Sequence, residues 1–152
     1  MTSSSQAPEP FPTSLTAVLR RPALWPVLTR AVAELALARW RLKQRHVRDL
    51  IGAVPHAVPM TETSPGADTI AARVAWAVPR MAARVPWRSD CLVQATAAQR
   101  WLDHHQIPTQ LYIGVRKDRP TGFEAHAWLC HGALIVTGGD ISGFVPLSPK
   151  DR

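Results

Sequence analysis

Residues 89–105 read SDCLVQATAAQRWLDHH, and residues 111–137 read LYIGVRKDRPTGFEAHAWLCHGALIVT. The first stretch has helical spacing. Ser89 and Asp90 are both residue types that cap helix N-termini, and Cys91, Ala95, Ala98 and Leu102 follow at steps of four and three. The pattern predicts a helix from Cys91 to about His105, stopping before Pro108. In the second stretch the period changes to two. Leu111, Ile113 and Val115 share one side of a strand, and Arg116 to Gly122 reads as a charged loop containing Pro and Gly. A second strand runs from about Glu124 to Cys130, and His131-Gly132 turns it into a third, Ala133 to Thr137. A helix opening on a cysteine, followed by an antiparallel meander, is an α+β layout.

Upstream the chain is helical. Leu24, Leu28, Ala31, Leu35, Ala38 and Leu42 recur at the spacing that lines one helix face, predicting a helix over roughly Leu24 to Leu50 with Pro22 and Pro26 at its start. Pro55, Pro59 and Pro65 mark residues 52–66 as a connecting loop. A second helix is expected to begin near Asp68 as N-cap and to carry Ile70, Val74, Val78, Met81 and Val85 on one face. Pro79 should kink or break it, and Pro86 should end it. Residues 1–13 are polar and Pro-rich, a flexible tail by composition. Residues 14–152 then form a single domain, with a helical region over 24–87 and the chemistry-bearing part over 88–145.

Composition bounds the function. The 152 residues suffice for one domain, and no apolar run approaches the ~20 residues needed to span a bilayer. The N-terminus has neither the basic start nor the apolar stretch of a signal peptide. Two cysteines, Cys91 and Cys130, are too few for a disulfide scaffold. The expected setting is the reducing cytoplasm, with both thiols free. The net charge is +7, and residues 20–49 carry eight basic and two acidic residues, so most of the excess sits on the first helix. A single aromatic side chain, Trp40, falls among Arg39, Arg41, Lys43, Arg45 and Arg48, short of the repeated aromatic interleaving that a single-strand groove requires, which argues against nucleic acid. A solvated helix face accounts for the charge, and a basic surface for an acidic partner is the alternative.

Two residues suggest nucleophilic catalysis. The first turn of a helix offers unpaired N–H groups and the positive end of the helix dipole, a setting that favours a thiolate and places the Cys91 N–H as an oxyanion donor. Cys91 also shares a face with Ala95 and Ala98, so position alone equally allows a small core residue. His126 alternates with Trp128 and Cys130 on one strand face, where its ring nitrogens need polar partners. A helix-opening Cys followed by a strand His is an arrangement that thiol enzymes use, with a carboxylate to orient the imidazole. Asp140, just past the third strand, is the obvious supplier. Asp118 falls in a loop and Asp151 at the terminus.

Asp90-Cys91-Leu92, Trp101-Leu102, Ile107, Leu111 to Val115 and the run Phe123-Glu124-Ala125-His126-Ala127-Trp128 together resemble the transglutaminase-like peptidases of lasso-peptide biosynthesis, in their stand-alone form. The likeness is strongest from about Val85 to Asp140 and looser over the helices, where Glu34 to Arg41 fits the family's style. The resemblance implies a transglutaminase-like (papain-like) cysteine peptidase core and a triad of Cys91, His126 and Asp140. It also implies a ribosomally made precursor peptide as substrate, cut between leader and core. A separate leader-recognition protein, and a ring-closing cyclase acting afterwards, are the implied partners, with no cofactor. The same triad would serve an acyltransferase. A non-catalytic basic binding protein is the alternative from another class.

Two further readings concern geometry and metal. If His131-Gly132 is a two-residue turn, Cys130 pairs with Ala133 and Thr137 lies opposite His126. Asp140 is then three residues too far along, about 10 Å at strand rise. Gly138-Gly139 offers a bend that could return it. Cys91, His104, His105, His126, Cys130 and His131 are all potential zinc ligands, but no paired short-spacing signature joins them, so no metal is expected.

Overall fold

The computed structural model describes residues 20–44, 65–119 and 122–147. A single 3₁₀ turn, Pro22–Leu24, leads into helix α1 (Trp25–Gln44), followed by α2 (Pro65–Ala82) and α3 (Cys91–Asp103). Four strands complete the fold: β1 (Gln110–Arg119), β2 (Gly122–His131), β3 (Leu134–Thr137) and β4 (Val145–Pro146). They form one antiparallel sheet in the order β3-β2-β1-β4. The helix spacings of the sequence become the core. Ala31, Leu35 and Ala38 of α1, Val74 and Val78 of α2, and Ala95, Ala98 and Leu102 of α3 have no exposed surface, with Leu24, Leu28, Leu42, Ile70 and Met81 packed around them. Leu111, Leu129 and Val136 join this core from the sheet. Tyr112 and Trp128 alternate to the other face and stack at 5.5 Å. Gly114 lies beneath the Trp128 ring, where an added Cβ would come within 2.8 Å of it. Among the described residues no helix is long and apolar enough to cross a membrane.

Several boundaries differ from expectation. The α2 helix begins at Pro65, because proline suits a first helical position and gives up no needed N–H, so Asp68 lies inside the first turn. Pro79 does not break the helix, which runs on to Ala82. The helix therefore ends well before Pro86. Part of the loop over 52–66, the end of the first helix beyond Gln44, and the tail over 1–13 lie outside the described residues. The loop expected from Arg116 to Gly122 is instead largely strand: β1 continues to Arg119, with a register shift between Arg116 and Arg119. Strand β4 has no alternation to announce it. It is held against β1 by the pairs Gly114–Pro146 and Val115–Val145 and by the Leu147 N–H on the Ile113 carbonyl at 2.7 Å.

The β2–β3 turn falls one residue later than expected. Gly132, at φ +54°, and Ala133 form it, and His131 pairs with Leu134. An irregularity between Leu129 and Cys130 then places Thr137 opposite Leu129 rather than His126. Counting on from that pair sets Asp140 level with His126, so the three-residue shortfall disappears. The chain does not stay in the strand, however. Gly138 (φ +117°) and Gly139 (φ +60°) bend it away.

At Gly138 a side chain is doubly excluded: its φ is one that L residues rarely adopt, and a Cβ there would lie 2.3 Å from Trp128 Cβ. A Cβ at Gly139 would meet nothing within 4 Å. Gly138→Ala should therefore cost on the order of 3 kcal/mol and Gly139→Ala about 1 kcal/mol, measured as shifts in urea midpoint. Equal losses would mean that the close approach to Trp128 does not constrain the bend.

Candidate active site

Cys91 is the first residue of α3. Asp90 caps the helix in an extended conformation, its Oδ1 accepting the Val93 N–H at 3.2 Å. Two side chains hold the segment before the cap. Arg39 of α1 donates to the Arg88 carbonyl at 2.6 Å, and Gln94 donates to the Ser89 carbonyl at 2.8 Å. The thiol is thus carried on a helix end anchored from three directions, and it is half-buried.

His126 sits on β2 opposite Gly114. Since β3 pairs with β2 only between Leu129 and His131, that edge of β2 is open beside His126. Here a cleft of ≈ 440 Å³ opens, and both Cys91 and His126 line it. Its apolar walls come from Ala75 and Pro79 of α2 and from Ile135 and Val136 of β3. The imidazole is fixed on several sides. Its Nε2 lies 2.7 Å from the Gly138 carbonyl oxygen, and Phe144 and Trp128 flank the ring at centroid distances of 4.9 and 6.2 Å. A carbonyl can only accept, so Nε2 carries a hydrogen, and in the neutral ring Nδ1 is the nitrogen with the lone pair. That leaves Nδ1 able to take a proton from a thiol.

Asp140 is placed differently from the sequence expectation. The structure brings Cys91 and His126 to one cleft, but Asp140 is exposed and is not among the groups lining it. Asp140 Oδ1 accepts the Ser142 N–H at 2.9 Å, closing a turn just beyond the glycine pair. Hydrogen bonds from Ser142 hold the Asp140 carboxyl below the usual carboxylate range, with Arg116 adding in the same direction. The group on the imidazole in this structure is the Gly138 carbonyl, which sequence reasoning missed because a backbone oxygen leaves no mark in side-chain identity.

The remaining candidates, His104, His105, Cys130 and His131, are not among the residues lining the cleft. His131 is 2% exposed, with Nδ1 2.7 Å from the Pro108 carbonyl oxygen; its Nε2 lies 3.3 Å from Asp68 Oδ1 without forming a hydrogen bond. His105 Nε2 lies 3.3 Å from Arg30 Nη1. Among the described residues no group of three or more His, Cys, Asp or Glu is arranged to hold a metal. The basic helix divides. Arg39 holds Arg88, and Arg30 lies over the Trp101 ring beside the buried Glu34, which also pairs with Arg100 at 3.3 Å. Arg41 and Lys43 are exposed. Glu34 left one signal in the sequence, a carboxylate within the core-facing run from Leu28 to Leu42.

The two thiols should react differently. Burial pushes the Cys130 thiol up, so it stays protonated at neutral pH, whereas Cys91 faces a cleft with a proton acceptor. Iodoacetamide at pH 7 should label Cys91 roughly tenfold or more faster than Cys130, read by peptide mapping. Equal rates would argue against a nucleophilic Cys91.

A family profile described as the transglutaminase-like superfamily matches residues 17–148, most of the chain. No curated protein and no solved structure gives a match. The chain belongs to the transglutaminase-like superfamily.

Proposed function

We propose that this transglutaminase-like protein is a cytoplasmic cysteine peptidase that removes the leader from a ribosomally made lasso precursor peptide, assisted by a separate leader-binding protein. The observation that carries the chemistry is the shared cleft. A thiol at a helix N-terminus and an imidazole whose Nε2 is tied to a carbonyl line the same cavity. His126 Nδ1 takes the Cys91 proton, and the sulfur adds to the carbonyl carbon at the leader–core junction. The Cys91 N–H, unpaired in the first helical turn, stabilises the oxyanion. The C–N bond then breaks, and the imidazolium returns its proton to the departing core amine. Water, deprotonated by His126, cleaves the thioester, releasing the leader as a carboxylate and restoring the thiol. Asp140 enters as a positioning residue. Its bond to Ser142 closes the turn after Gly139 and so supports the carbonyl on which the ring rests.

The test is incubation of the purified protein with the precursor encoded beside it, with and without the leader-binding protein, followed by intact-mass analysis. Two fragments whose masses together exceed the precursor by one water are expected. A leader joined to an added amine would instead identify an acyltransferase, which the same superfamily accommodates. An unchanged precursor in the presence of the partner contradicts the proposal.

A further inference from the structure

The α1 helix has a second apolar surface, directed away from the core. Trp25, Thr29, Ala33, Ala36 and Trp40 are all exposed, and the two tryptophans retain 54% and 56% of their surface. At about 100° per residue these five fall within about 80° of arc, opposite Ala31, Leu35 and Ala38. None carries a charge. The one polar side chain is internally satisfied, since the Thr29 hydroxyl lies 3.0 Å from the Trp25 carbonyl and 3.1 Å from that of Pro26. The indoles stand about 22 Å apart along the helix with only small residues between them, so the surface is a shallow trough closed at both ends. Both ends are cationic: Arg20 is exposed before the helix, and Arg41 and Lys43 are exposed in its last turns.

We propose that this stripe docks an acidic protein partner, in the form of a helix whose apolar face fills the trough while carboxylates at its two ends meet Arg20 and the Arg41–Lys43 pair. Charge decides against a second copy of this chain. Antiparallel self-pairing sets Arg41 and Lys43 opposite Arg20, and parallel pairing sets each cationic end on its own equivalent, between molecules that each carry +7. Shape decides against a lipid surface. A bilayer takes up a protruding apolar face, whereas the centre of this stripe is recessed at Ala33 and Ala36, where small residues allow a second helix to approach closely. The inference does not depend on the peptidase reading.

The full-length chain can be titrated by fluorescence anisotropy with a designed labelled helix of about 20 residues, bearing a Leu/Ala face and glutamates in its first and last turns. Saturable micromolar binding is expected, weakened roughly tenfold or more by Trp25→Ala or Trp40→Ala and by replacing the probe's glutamates with lysines. Raising salt to about 0.5 M should weaken it further. The Cys91 alkylation rate should be unchanged in both variants, showing that they are folded. Failure to saturate, or binding indifferent to both tryptophans, overturns the proposal. So does a sedimenting dimer abolished by Trp40→Glu, which would make a second copy the occupant. Tryptophan-dependent co-sedimentation with phosphatidylglycerol vesicles, without peptide binding, would assign the stripe to lipid and equally overturn it.

Discussion

Cys91→Ala is expected to abolish cleavage of the proposed precursor, a loss on the order of 10⁴-fold or more. No other group lining the cleft is a nucleophile of comparable strength: His126 and Gln94 are its other ionisable or amide side chains, and Thr137 is 2% exposed. The substitution should leave the fold intact. Alanine is the best helix former, the Asp90 cap to Val93 does not involve the thiol, and Arg39 and Gln94 hold backbone carbonyls that remain in place. Loss of activity with unchanged circular dichroism is therefore the expected pair of results. Substantial turnover in the folded variant would move the chemistry to another residue.

The second large effect belongs to His126→Ala, which removes the proposed proton acceptor and should slow cleavage by ~10²–10⁴. Part of any stability loss will come from packing, because the ring sits against Phe144 and beside Trp128, so near-ultraviolet circular dichroism must accompany the kinetics. Asp140 supplies a contrast. If it acts through the turn, Asp140→Asn keeps an oxygen to accept the Ser142 N–H and should cost less than about tenfold. If it instead reaches the imidazolium during the reaction, replacement by the amide should cost about 10⁴, the scale of losing a triad carboxylate. Steady-state rates of the Asp140→Asn variant distinguish the two, and the structure favours the smaller loss.

How much of this was legible beforehand follows from the kind of signal each feature leaves. The core faces of α1, α2 and α3 were readable because the positions from Leu24 to Leu42, and their counterparts, repeat with a helical period that burial then enforces. The placement of Cys91 at a helix start and of His126 on a strand was readable because their local patterns fix those elements, and the structure sets both against one cleft. The hairpin register was not, since it depends on which residue takes the positive φ. Gly132 takes it as the first of two turn residues, and an irregularity beside Cys130 absorbs one more position. Strand β4 left no trace because two residues cannot show a period, and one of them is Pro146. Arg39 and Gln94 act on backbone carbonyls brought near only by the packing of α1 and the capping of α3, which no spacing in the chain records.

The most direct test of the central claim is acid-quenched mass spectrometry of the enzyme during turnover of its precursor. The account predicts a transient adduct equal to the leader acyl group on the peptide containing Cys91, absent from Cys91→Ala and longer-lived when hydrolysis is slowed. Cleavage that proceeds with no adduct, and that continues after Cys91 has been alkylated, would contradict it.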